Sequence, residues 1–78
     1  MGEVFVMHTY EIVMPDGEVR LYPTDNLDAE HAVVCKHKSS DHWDVWLLCT
    51  FYDEAYAEMR RLTRKHPNTQ YRIVGTYR

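Results

Sequence analysis

The sequence predicts an α+β fold, an antiparallel-rich four-stranded sheet packed on one or two helices. Three observations carry that expectation: an alternating Val/Ile/Tyr-rich run closed by Pro15-Asp16-Gly17, an apolar stripe at helical spacing between residues 55 and 66, and a β-rich ending after Pro67. Alternation with a period of two belongs to strands, whereas recurrence at three and four residues belongs to a helix. The full 78 residues suffice for one domain, residues 1–78, with no room for a second core.

The first run, Glu3 to Met14, reads as a long strand with Val4, Val6, His8, Tyr10, Ile12 and Met14 toward the core. Pro15 presets φ at the first corner of the following turn, and Gly17 accepts the positive φ with which the chain re-enters the sheet. Glu18 to Tyr22 alternates again and completes an antiparallel hairpin. Pro23 ends that strand.

Residues 27–38 admit two readings. Thr24-Asp25-Asn26 offers N-cap residue types, and the charges run acid first (Asp28, Glu30) and base last (Lys36, His37, Lys38), as a helix dipole prefers. Leu27, His31, Val34 and Cys35 would then share a face. A short helix is the first reading; the β-friendly Ala32-Val33-Val34-Cys35 makes a strand the alternative. The element order is therefore β-β-α-β-α-β or β-β-β-β-α-β.

His42 to Thr50 reads as a strand in which Trp43, Val45, Leu47 and Cys49 alternate with Asp44, Trp46, Leu48 and Thr50. Both sets are largely apolar beyond Asp44, so a central strand covered on both faces is expected. Thr50 or Asp53 can cap the helix that follows, and Ala55, Met59, Leu62 and His66 form its buried stripe. Pro67 forbids continuation. Gln70 to Arg78 closes the fold as a strand with Tyr71, Ile73 and Tyr77 on one face.

The net charge of −3 hides a polarised chain. Residues 1–58 hold all twelve carboxylates against Arg20, Lys36 and Lys38. Residues 59–78 hold six Lys and Arg and no acid. Such asymmetry bears on partners and association rather than on fold. It also allows self-association of acidic patch on basic helix, hence a homodimer. Ten Phe, Tyr and Trp residues are more than so small a core hides, and exposed Tyr, Trp and Arg are the types that dominate binding hot spots.

Sites of chemistry are sparse. His31, Cys35, His37 and His42 are the residues nearest to a metal-ligand set, but no paired Cys-x-x-Cys or His-x-x-x-His spacing supports one. Cys49 belongs to the core of a strand, and a buried Cys is inert. Ser39-Ser40-Asp41-His42 puts catalytic residue types in one loop, without the geometry a triad requires. Gly2, Gly17 and Gly75 are too scattered for a phosphate loop. The expectation is a protein that is not an enzyme and holds no metal or cofactor. Met1-Gly2-Glu3 lacks the basic start of a signal peptide, and no run approaches the roughly 18 apolar residues of a membrane span. A cytoplasmic protein with free thiols follows.

Two surfaces are candidates for function. The acidic and aromatic one comprises Asp16, Glu18, Tyr22, Asp25, Asp28, Glu30 and Trp46, an array able to present a negative surface to a groove that normally holds nucleic acid. The basic one comprises Arg60, Arg61, Arg64, Lys65 and Arg72, with tyrosines nearby for stacking. The chain's ending, Phe51, Ala55, Leu62, Pro67 and then Tyr71-Arg72-Ile73-Val74, resembles the helix–Pro–strand close of small phage proteins. The whole chain resembles phage and prophage accessory proteins that inhibit host machinery, the anti-CRISPR proteins among them. That resemblance implies a non-enzymatic protein-binding inhibitor of a nucleic-acid-handling complex, with a CRISPR effector as one such target, acting as a nucleic-acid mimic. The alternative is a small nucleic-acid-binding module using the basic helix and last strand.

Overall fold

The computed structural model describes residues 7–78. Six elements follow in order: β1 (His8–Val13), β2 (Val19–Thr24), β3 (His31–His37), β4 (Asp44–Cys49), α1 (Tyr52–Lys65) and β5 (Thr69–Tyr77). The α+β class and the second of the two element orders hold, with five strands rather than four. The expected start of the first strand, with Val4 and Val6 on its core face, lies outside the described residues.

All pairings are antiparallel, in the order β2-β1-β5-β3-β4. The first hairpin forms as expected: Gly17 takes φ +92°, where a Cβ is strained, and Met14 N–H donates to Glu18 O at 2.7 Å. Counting outward in the register from that bonded pair turns the peptide groups of Val19, Leu21 and Pro23 to the free edge. Pro23, which has no N–H, therefore sacrifices no ladder bond inside β2.

Residues 31–37 are a strand, not the helix first expected. Val33 and Val34 are β-branched, and β3 pairs along its whole length with β5 and again with β4. Two flanking ladders outweigh the helical spacing of Leu27, His31, Val34 and Cys35. The strand at residues 44–49 is likewise an edge, not the central strand expected from its apolar faces. Those faces are covered because the sheet curls.

The curl shows in the two clusters of buried side chains. Ile12, Met14, Ala32, Val34 and Trp43 meet on the concave side, joined by Tyr22, Val45, Leu48 and Val74. Val33, Cys49, Ala55 and Leu62 meet on the convex side under α1, with Leu47, Tyr71 and Ile73. Arg20 of β2 reaches Asp44 of β4 at 3.1 Å although the two strands are opposite edges. The register of β3 against β4 slips between Val33 and Val34, which leaves Trp46 as the extra residue of a bulge. The expected alternation breaks there. Val45 and Trp43 serve the concave cluster, while Leu47 and Cys49 serve the convex one.

Helix α1 buries Ala55 and Leu62, leaves Met59 half-buried and His66 exposed. Its N-cap is Phe51, with no side-chain hydrogen bond, so neither Thr50 nor Asp53 caps it. Packing against the sheet, rather than a cap, holds this helix.

One buried hydroxyl organises the 25–30 loop. Tyr10 Oη donates to Asn26 O at 2.7 Å and accepts from Ala29 N–H at 3.3 Å. Thr76 Oγ1 donates to Ala29 O at 2.7 Å. Tyr10→Phe leaves two loop groups without this partner and is expected to cost about 1–3 kcal/mol. A urea unfolding curve superimposable on that of the parent protein would show the hydroxyl to be dispensable.

Candidate functional site

Folding divides the acidic residues between two places. Asp16 and Glu18 occupy the hairpin turn. The Asp16 carboxylate accepts the Glu18 N–H at 3.0 Å, and Arg20 Nε bonds Glu18 Oε1 at 2.9 Å. Arg20 also holds Asp44, and these two carboxylates, Glu18 first, raise the guanidinium's affinity for its proton. At the turn Glu18 is thus ion-paired with Arg20, while Asp16 is engaged by the turn backbone.

Asp25, Asp28 and Glu30 share the loop between β2 and β3, at the end of the hairpin away from its turn. Asn26 N–H donates to Thr24 Oγ1 at 3.2 Å and Asp28 N–H to Asn26 Oδ1 at 3.0 Å, the side-chain turns that build the loop. All three acids are exposed. Glu30 N–H bonds Cys49 O at 3.0 Å, which ties the loop to the chain just before α1. Phe51 and Tyr52, 64% and 52% exposed, follow Cys49 closely in the chain, and Leu27 on the loop itself is exposed as well. His31 stands edge-on to Tyr52, ring centroids 5.6 Å apart. No ion pair involves Asp25, Asp28 or Glu30 among the described residues.

The two expected aromatic anchors lie elsewhere. Tyr22 packs half-buried against the concave cluster and offers no anchor at the loop. The bulge turns Trp46 outward, 49% exposed, into a groove of about 320 Å³ shared with Cys35, Asp44, His66 and Tyr71. Phe51, Tyr52 and Leu27 take the place assigned to Tyr22 and Trp46. The sequence did not single them out: Phe51 and Tyr52, four and three residues before Ala55, fit the spacing of the Ala55–Leu62 stripe, yet both are exposed.

The basic set also divides. Arg60, Arg61, Arg64 and Lys65 line one shallow groove of about 550 Å³ over Ala57. Arg61 is paired with Glu58, whose carboxyl it holds below the usual range by hydrogen bonding. Arg72 belongs to the concave side, its Cζ 5.9 Å from the Trp43 ring centroid. Tyr52 and Tyr56 stack with centroids 6.2 Å apart, and Arg60 Cζ lies 5.9 Å from the Tyr56 centroid.

Among the described residues no three His, Cys, Asp or Glu side chains stand close enough together to hold a metal. Both cysteines are free. Burial pushes each thiol up, with Asp44 adding at Cys35 and Glu54 and Glu58 at Cys49. Because the thiolate is the reacting form, alkylation of Cys49 near pH 7.5 should run about tenfold or more slower than in the unfolded chain. Equal rates in native buffer and in denaturant, read by mass spectrometry, would contradict this burial. No helix among the described residues is long and apolar enough to cross a membrane.

Comparison with protein-family models, curated proteins and solved structures returned no match.

Proposed function

We propose that this chain is a non-enzymatic binding protein that inhibits a nucleic-acid-handling protein complex by presenting a carboxylate surface where that complex binds nucleic acid. The observation that carries this reading is that exposed Asp25, Leu27, Asp28 and Glu30 share one loop, which Glu30 N–H ties to Cys49 O just before exposed Phe51 and Tyr52. Carboxylates without an ion pair among the described residues provide long-range attraction to a basic groove, and exposed aromatic area provides contact once docked. A phage-type inhibitor of a CRISPR effector is one protein of this class, and the bacterial cytoplasm is where it would act.

The test is affinity capture from a bacterial lysate, with and without nuclease, using the parent protein and an Asp25→Lys/Asp28→Lys/Glu30→Lys variant. The reading expects a stoichiometric protein complex that survives nuclease and is lost in the variant. Equal recovery by both proteins would sink it.

The basic groove supports a second reading, a small nucleic-acid-binding module, because Arg60, Arg61, Arg64 and Lys65 share one surface. Arg72, on the opposite side of the sheet, drops out of that surface. Direct binding to a single-stranded oligonucleotide should then weaken with salt, the logarithmic slope falling by about 0.7 per phosphate contact. Binding that is absent at low salt removes this reading.

A further inference from the structure

We infer that the solvent face of α1 is a two-fold interface on which a second copy of this chain docks with its helix antiparallel. At 100° per residue, Asp53, Ala57, Arg60 and Arg64 form a line along the helix opposite buried Ala55 and Leu62, and all four are exposed. Along that line charge changes sign once, from the acidic first turn (Asp53, Glu54) to the basic last turn (Arg64, Lys65). An antiparallel copy reverses this order, so each acidic first turn faces a basic last turn of its neighbour. Opposed helix dipoles favour the same orientation.

The pairing closes on itself. With the two-fold axis between residues 58 and 59, Asp53 of one copy stands opposite Arg64 of the second copy, and the reverse contact forms at the other end. Glu54 on the flank meets Arg61 and Lys65 of the second copy. Such an interface uses one patch twice and ends at two copies rather than growing into a filament. Ala57, the small residue of the line, lies at the floor of the cationic groove and permits close approach of two helix axes, near the 8–10 Å usual for packed helices. Tyr56, 43% exposed and already capped by Arg60, adds aromatic area beside the crossing. This interface is separate from the Asp25, Asp28 and Glu30 loop, and reversing those three charges leaves it intact.

A charge-swap series followed by sedimentation velocity tests the inference. The parent protein is expected to dimerise at micromolar to millimolar concentration, more weakly as salt is raised. Asp53→Arg and Arg64→Asp each turn two attractive contacts per dimer into repulsive ones, weakening association by on the order of tenfold or more. The double variant D53R/R64D restores attraction and should dimerise again, which a merely structural role for either residue would not produce. Two-dimensional NMR supplies a readout independent of the variants, with concentration-dependent amide shifts expected on residues 52–65. A monomeric parent at the highest concentration, a double variant without recovery, or shifts confined to β2 would overturn the proposal. So would recovery of Arg64 function only toward added oligonucleotide, since the groove would then belong to nucleic acid.

Discussion

Leu62→Ala is expected to lower stability by about 2–5 kcal/mol, the usual cost of emptying a buried leucine site. Small domains have only about 5–15 kcal/mol in total, so a large share of the molecules should unfold well below the parent's urea midpoint. The effect is large because α1 has few other anchors. Leu62 is fully buried between Val33, Cys49 and Ala55. Phe51 provides no side-chain cap, and a 14-residue helix is marginal in isolation. Thr63→Ala, next in the chain and exposed, serves as the comparison and should change stability by less than about 0.5 kcal/mol. A Leu62→Ala midpoint no lower than that of Thr63→Ala would mean that the helix is not held to the sheet by this contact.

Reversing Asp25, Asp28 and Glu30 to lysine is expected to abolish capture of the partner while leaving the unfolding curve nearly unchanged. The loop backbone is fixed by Tyr10 Oη, by Thr76 and by the Glu30–Cys49 bond, none of which uses the three carboxylates. The substitution therefore changes the field without dismantling its support. With the purified partner, affinity should fall by on the order of 100-fold at low salt and association should slow, because facing like charges repel and steering is lost. Asp16→Lys/Glu18→Lys is the informative comparison. Glu18 pairs with Arg20 and Asp16 accepts the Glu18 N–H at the hairpin turn, so their reversal should affect stability more than binding. The opposite result, binding lost through the turn and retained through the loop, would move the working surface to the hairpin end.

The hairpin, the helix and the closing strand were legible because each rests on local chemistry. Pro15-Asp16-Gly17 sets its own turn, Ala55 and Leu62 declare the buried side of α1, and Pro67 stops it. Residues 31–37 were misread because Leu27, His31, Val34 and Cys35 fit a helical period. Ala32-Val33-Val34 fits a strand equally well, and only β4 and β5 on either side decide between them. The acidic residues divide for a related reason: sequence proximity keeps Asp25, Asp28 and Glu30 on one loop, whereas Glu18 pairs with Arg20 and Asp16 with the backbone of the hairpin turn. The position of Arg72 was legible in principle. It alternates with Tyr71 and Ile73, which pack under α1, so a strand had to carry it to the other side.

Composition, turn chemistry and periodicity determined an α+β class, a polarised charge distribution and a helix bearing an acidic start and a basic end. Tertiary structure alone decided the rest: which edge β4 occupies, where Trp46 is turned out, and which aromatic residues stand beside the acidic loop. The reason is physical. Turns and helix stripes are set by forces acting within a few residues, while strand order, curl and bulges are set by pairing between segments far apart in the chain, whose energies no local pattern encodes.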